Sequence, residues 1–260
     1  MGTHSKWYTA IRNTDVASVG GKNASPGEMI ATLSGAGVAV PDGFAIAAQA
    51  HWDLLEANGI KAQLVACMDR LDRKDLSNLK EVADEARALL LGVEWPQELE
   101  QNIRSAYREL AAVGITSVAV HSSAAAEDLP TASFAGRHES FLNISGEDAL
   151  LEVCRRCFAP LFGKRAIKYR QDIGFPDMKV ALSIGVQHIV RSDVGGAGVI
   201  FTLEPRAVSG TWWMWWPVGA WARTCCKVRL DRTSTRSSNP PCAMGSTPFY
   251  NTSWARNRRP

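Results

Sequence analysis

VAVHSSAAAEDLPTASFAGRHESFLN, residues 118–143, is the stretch on which the reading of this chain turns. Val118, Ala119 and Val120 form a short apolar run of the kind a buried strand shows. The run is predicted to stop at His121, Ser122 and Ser123. Small residues follow, then Glu127 and Asp128, then a loop of small and hydroxyl residues ending in Phe134, Ala135 and Gly136. Residues 139–143 read as a returning strand. Small side chains let a backbone approach a ligand closely, and N–H and O–H donors suit anionic oxygens. Two readings stand at this point: a hairpin that covers a phosphate, or an ordinary hairpin with a polar loop.

A second candidate lies earlier, in residues 17–37, ASVGGKNASPGEMIATLSGAG. Gly20 and Gly21 make a turn. Ser25, Pro26 and Glu28 sit where a capping box would open a helix, with Pro at its first position. Met29, Ile30 and Leu33 give that helix an apolar side, and Gly35 or Gly37 ends it. Lys22 then lies in a glycine turn just before a helix N-terminus, where a cation and backbone N–H groups could hold an anion. The GxxxxGK[ST] spacing of a P-loop is absent.

The rest of the body alternates helices and strands. Residues 38–46 read as extended and broken by a Pro-Asp-Gly turn, and residues 48–58 as a helix. A further helix starts after Trp95 and Pro96, with Leu99, Ile103, Tyr107 and Leu110 as its inner face and Gly114 as its stop. Its charges read as a solvated face. Residues 146–162 and 163–170 read as two more helices, the second basic. Residues 179–190 and 195–203 read as strands, the latter entered through glycines.

Bulk properties narrow the function classes. At 260 residues, 46% of them hydrophobic, the chain can bury one large core or two modest ones. The net charge of +3 is unevenly spread. Residues 207–260 hold eight basic residues and one acidic; the first 206 hold the other 21 basic and 25 acidic, a net of −4. A mildly acidic body implies no specific nucleic-acid partner. The most apolar run, residues 212–222, is 11 residues long, against the roughly 20 that a membrane span needs. No signal-type leader is read at the start, so the expected location is the cytoplasm. Cys154 and Cys157 form a CxxC among Leu150, Leu151, Val153 and Phe158, which places both thiols in a helix core rather than on a metal.

Three segments together carry a family likeness: GGKNASPGEM, VAVHSSAAAEDLPTASFAG and KVALSIGVQHIVRSDVGGAGVIFTLEP. Over most of residues 7–205 the chain resembles the N-terminal nucleotide-binding domain of the phosphoenolpyruvate synthase (pyruvate, water dikinase) family. Pyruvate phosphate dikinase and rifampicin phosphotransferase share that domain and stay open as alternatives. The resemblance implies an α/β (α+β) fold of ATP-grasp-like type, incomplete here. It implies ATP as ligand with Mg²⁺, and a reaction that turns ATP, pyruvate and water into phosphoenolpyruvate, AMP and phosphate. Pyruvate would be handled only through domains absent from this text. Lys22 would touch the nucleotide phosphates, and Lys22 and His121 would be the catalytic pair. Ser122 and Ser123 would lie under the phosphate flap, with Gly136 near its tip. Residues 187–190, with Gln187 and Val190, would receive adenine. No metal ligand is assigned, because the family's acidic residues for Mg²⁺ lie later. Three positions depart from the family: His121 for its Arg, Ala125 for its Thr and Arg137 for its Gln. His lacks the permanent charge and two-pronged grip of Arg.

The likeness ends near Pro205, and six of the nine tryptophans lie after residue 206. Trp and Met have one codon each, so Trp212, Trp213, Met214, Trp215 and Trp216 must be written TGG TGG ATG TGG TGG. Read from each third base, this contains GTG GAT GTG GTG, or Val-Asp-Val-Val. Permitted codons for residues 207–216 and 220–228 then give GFRDVVDVV and GLGENVLQG, which resemble the family's next segment. The expectation is a partial ATP-binding domain over residues 1–206 and a frameshifted, disordered tail over residues 207–260. A non-enzymatic binding protein acting through the basic tail is the remaining alternative.

Overall fold

The computed structural model describes residues 4–115, 117–124, 128–129, 132–133, 140–191, 197–201, 213–218 and 235–237. The chain divides into two compact units, Met1–Val190 and Arg191–Pro260. In chain order the first unit contains β1 (Ser5–Trp7), α1 (Val16–Val19), α2 (Gly21–Leu33), β2 (Gly43–Ile46), α3 (Ala48–Ala57) and α4 (Lys61–Asp69). It continues with α5 (Leu79–Leu91), α6 (Gln97–Ala112), β3 (Val118–Ala124) and the short pair β4 (Asp128–Leu129) and β5 (Ala132–Ser133). It ends with β6 (Ser140–Ile144), α7 (Glu147–Phe158), α8 (Lys164–Asp172) and β7 (Leu182–His188).

Five of these strands form an antiparallel sheet in the order β1-β2-β7-β3-β6. The fold is therefore a mixed one of helices on an antiparallel sheet. The hairpin read from residues 118–143 is present: Val120 pairs with Phe141 and His121 with Ser140. β7 lies along the other side of β3, with His121 opposite Gly185 and Ser123 opposite Ser183. β3 is thus an inner strand, and it continues through Ala124. The expected stop at His121 is wrong. Ser122, Ser123 and Ala124 look like loop residues, yet each is buried and each pairs with β7.

Side chains alternate across the sheet, which sorts its residues into two faces. Val118, Val120, Leu182, Ile184, Val186, Phe44 and Ile46 belong to the main core, with apolar residues of α3 to α8. Leu99, Ile103, Tyr107 and Leu110 of α6 are buried there, as their spacing predicts. The charges of α6 are exposed or half-buried, as expected, and Arg104 and Arg108 both reach Glu147 at the start of α7. Cys154 and Cys157 are fully buried, and burial raises the Cys154 thiol well above its ordinary range. The opposite face carries a smaller core of Tyr8, Ile11, Val19, Ala24 and Ala45 beside α1 and α2.

Helix α2 starts five residues earlier than expected. Gly20 is its N-cap and Pro26 lies inside it. Pro26 has no N–H to give the Lys22 carbonyl. Ser25 and Glu28 therefore open no helix; the Glu28 carboxylate accepts the Asn13 N–H at 3.1 Å instead. Tertiary contacts hold a start that local caps would have placed elsewhere.

In the second unit β8 (Ala197–Phe201), β9 (Trp213–Val218) and β10 (Thr235–Ser237) form an antiparallel sheet with β9 in the middle. Residues 213–218 and 235–237, within the stretch expected to be a tail, lie in this sheet. Tryptophan and valine favour extended backbone whatever frame wrote them.

Candidate functional site

Gly20 joins α1 to α2 with φ of +74°, a conformation that glycine adopts without strain. It also lies against β3: a Cβ there would run into Ser123 Oγ. Two residues on, the Lys22 backbone N–H donates to that same oxygen at 3.3 Å. The first turn of α2 is thus laid directly on β3. The N-terminal end of a helix of 13 residues favours negative charge, and Lys22 adds a cation in the same turn.

Asn23 is fully buried beside Lys22. Its Nδ2 donates to the Val19 carbonyl at 2.8 Å and to Ser183 Oγ at 3.0 Å. Its Oδ1 accepts from the Tyr8 hydroxyl at 3.0 Å. The Val19 carbonyl only accepts, so the amide can face one way only. Burial first, and then the charge of Asp42, raise the Tyr8 phenol above its ordinary range, so it stays a donor. Ser183 has the carbonyl oxygens of Val19 and Ser123, the latter at 3.1 Å, as acceptors for its single proton. Lys22 and His121 are far apart in sequence, yet Asn23 and His121 meet over Gly185. A Cβ on Gly185 would fall 2.6 Å from the His121 ring and closer still to Asn23 Oδ1.

A cation thus lies at a helix start, small residues line the facing strands, and a histidine lies over a bare Cα. Residues 16–213 match the family described as pyruvate phosphate dikinase, AMP/ATP-binding domain. The chain belongs to that family. Among relatives of the pyruvate phosphate dikinase AMP/ATP-binding kind, it is 50% identical over 194 residues to the phosphoenolpyruvate synthase of Pseudomonas aeruginosa, covering 74% of this chain and 24% of that one. It is 47% identical over 204 residues to that of Neisseria meningitidis, covering 77% and 26%. It is 45% identical over 202 residues to that of Escherichia coli, covering 77% and 26%. The chain spans about a quarter of the length of these curated relatives. The family match runs to residue 213, eight residues past Pro205.

Within this AMP/ATP-binding fold the sequence-predicted residues fall into three places. Lys22, Ser123 and His121 share the α2 face of the sheet. Ser122 does not: it pairs with Ile184 and lies fully buried on the main-core side. The alternation of a strand separates it from Ser123 and His121. Gln187 lies one pleat beyond Gly185 on the α2 side, and its Nε2 donates to the Pro41 carbonyl at 2.9 Å. Val190 follows the end of β7 and is 61% exposed. Gly136, Ala125 and Arg137 lie outside the described residues.

Sequence reasoning missed Asn23, Ser183 and Gly185. Their signal was present in β7, LSIGVQH, where Leu182, Ile184 and Val186 alternate with Ser183 and Gly185. Small residues at every second position of a buried strand mark a face that another backbone approaches closely. Among the described residues no helix is long and apolar enough to cross a membrane.

Proposed function

We propose that this chain supplies the ATP-binding part of a phosphoenolpyruvate synthase, whose overall reaction takes ATP, pyruvate and water to phosphoenolpyruvate, AMP and phosphate. The observation that supports this is that Ser123 holds the first turn of α2, with Lys22, against β3, while the next residue, Asn23, and His121 both lie against Gly185. On this reading the fold is ATP-grasp-like, residues 1–206 are its partial ATP-binding domain, and residues 207–260 are text of a shifted frame. The nucleotide phosphates lie toward Lys22 and His121. The adenine lies toward Gln187 and Val190.

The roles follow from charge. The Lys22 ammonium and the N-terminal end of α2 offset the negative phosphate oxygens, and fixed positive groups matter most where charge shifts during transfer. His121 adds a ring donor from the facing strand. Ser123 contributes by holding the Lys22 backbone, its own hydroxyl being buried. Among the described residues no three His, Cys, Asp or Glu side chains converge as a metal cage. On this reading Mg²⁺ enters as the companion of ATP. Pyruvate binding and the onward transfer belong to other parts of the whole enzyme, so this chain alone binds nucleotide without turnover.

A fluorescent trinitrophenyl analogue of ATP tests this on the full chain. Its emission should rise on binding, and added ATP should reverse the rise while pyruvate leaves it unchanged. Failure of ATP to displace the analogue, or release of AMP that depends on pyruvate, contradicts the reading.

A further inference from the structure

The buried hydrogen bonds around Asn23 have no direct place in the chemistry of phosphate binding. Asn23 is fully enclosed, and so are Ser123 and Ser183. None of the three presents a donor to solvent. Together they join four pieces of chain: the Tyr8 hydroxyl, the Val19 carbonyl at the end of α1, β3 through Ser123 and β7 through Ser183. Lys22 lies between the two fastened points, since its own N–H is held by Ser123 Oγ and its neighbour Asn23 is held by Ser183. Pro26 denies the Lys22 carbonyl the N–H that an unbroken helix would give it. The first turn of α2 therefore depends on these side chains for its placement.

We infer that Asn23 and Ser183 are positioning residues: they lock the first turn of α2 onto β3 and β7, so that Lys22 meets the phosphates in one fixed place. The inference rests on the proposed ATP site. Preorganised cations lose little on binding, whereas a cation on a loosened turn must be ordered each time. Ser183 is the sharper probe because its loss is small in volume. Ser183→Ala leaves one Asn23 N–H and the Ser123 carbonyl without their buried partner. Asn23→Ala removes the whole junction and puts folding at risk, so Ser183→Cys, which keeps a weak donor and acceptor, is the second variant.

The experiment titrates Mg-ATP into the full chain, into Ser183→Ala and Ser183→Cys, and into Lys22→Ala with and without Ser183→Ala. Amide hydrogen exchange of residues 22–24 is followed in the same proteins. Ser183→Ala should weaken ATP binding roughly five- to tenfold and speed exchange in those amides while α6 keeps its protection. Ser183→Cys should recover part of the loss. In the Lys22→Ala background Ser183→Ala should change affinity little, because the group it positions has gone. Unchanged affinity in Ser183→Ala, equal losses in both backgrounds, or unaltered exchange at residues 22–24 overturns the positioning role. No ATP binding by the unaltered chain would instead sink the site reading on which the role depends.

Discussion

Gly185→Ala should destabilise the chain by about 1–3 kcal/mol, the usual cost of overpacking a tight interior, and should weaken nucleotide binding with it. A methyl at this position would enter the space held by Asn23 Oδ1 and the His121 ring. Side-chain ends can often move aside, but Asn23 is fixed by Tyr8, Val19 and Ser183. Moving it would break buried hydrogen bonds on three partners, each costly to leave unmade. Moving His121 instead would displace the group proposed to face the phosphates. Gly35→Ala is the control. Nothing lies within 4 Å of a Cβ there, so that variant should match the unaltered chain or gain a few tenths of a kcal/mol from reduced chain freedom when unfolded. Denaturant unfolding and ATP titration on both variants check the pair. Equal stability of Gly185→Ala and the unaltered chain would show that the Gly185 contact is not tight.

Acid should act through His51. This residue of α3 is fully buried, its ring 4.9 Å from that of Phe158 and 5.2 Å from that of Trp52. Its Nδ1 has no hydrogen-bond partner. Burial lowers its pKa from 6.5 to about 4. The unfolded chain therefore takes up a proton as pH falls through 6.5, while the folded chain resists until about 4. Stability is unaffected by this group above 6.5 and falls between those two values, by about 3 kcal/mol in all. His51→Leu removes the titrating group and keeps an apolar side chain among the aromatics. The difference in unfolding free energy between the two proteins should shift in favour of the variant by that amount from pH 7 to pH 4. A constant difference across that range would mean that His51 is protonated in the folded chain as easily as in the unfolded one.

Periodicity made much of the fold legible. The α6 face of Leu99, Ile103, Tyr107 and Leu110 was plain because all four are apolar and all four are buried. The β3–β6 hairpin was plain because apolar and polar segments alternate with a turn-rich loop between them. Errors arose where small polar residues carry tertiary structure. Ser122 and Ser123 resemble a loop, but they are inner-strand residues on opposite faces. Ser25 and Pro26 resemble a helix start, but hydrogen bonds around Gly20 and Asn23 begin α2 earlier. Arg170 belongs to a helix read as basic, yet it is buried, with Nη1 donating to the Leu161 carbonyl. The site was half legible. Lys22 and His121 stand out by charge and motif, Ser183 and Gly185 only by the small-residue alternation of β7, and Asn23 by no local pattern.

The central claim is that the start of α2, with Lys22 in its first turn, holds the phosphates of ATP. Calorimetric titration of Mg-ATP into the unaltered chain and into Lys22→Ala tests it most directly. The account predicts saturable heat in the first and at least a roughly tenfold loss of affinity in the second, as fits removal of a charge-assisted contact, with both proteins equally folded. Absence of heat in the unaltered chain, or the same affinity in both, would contradict it.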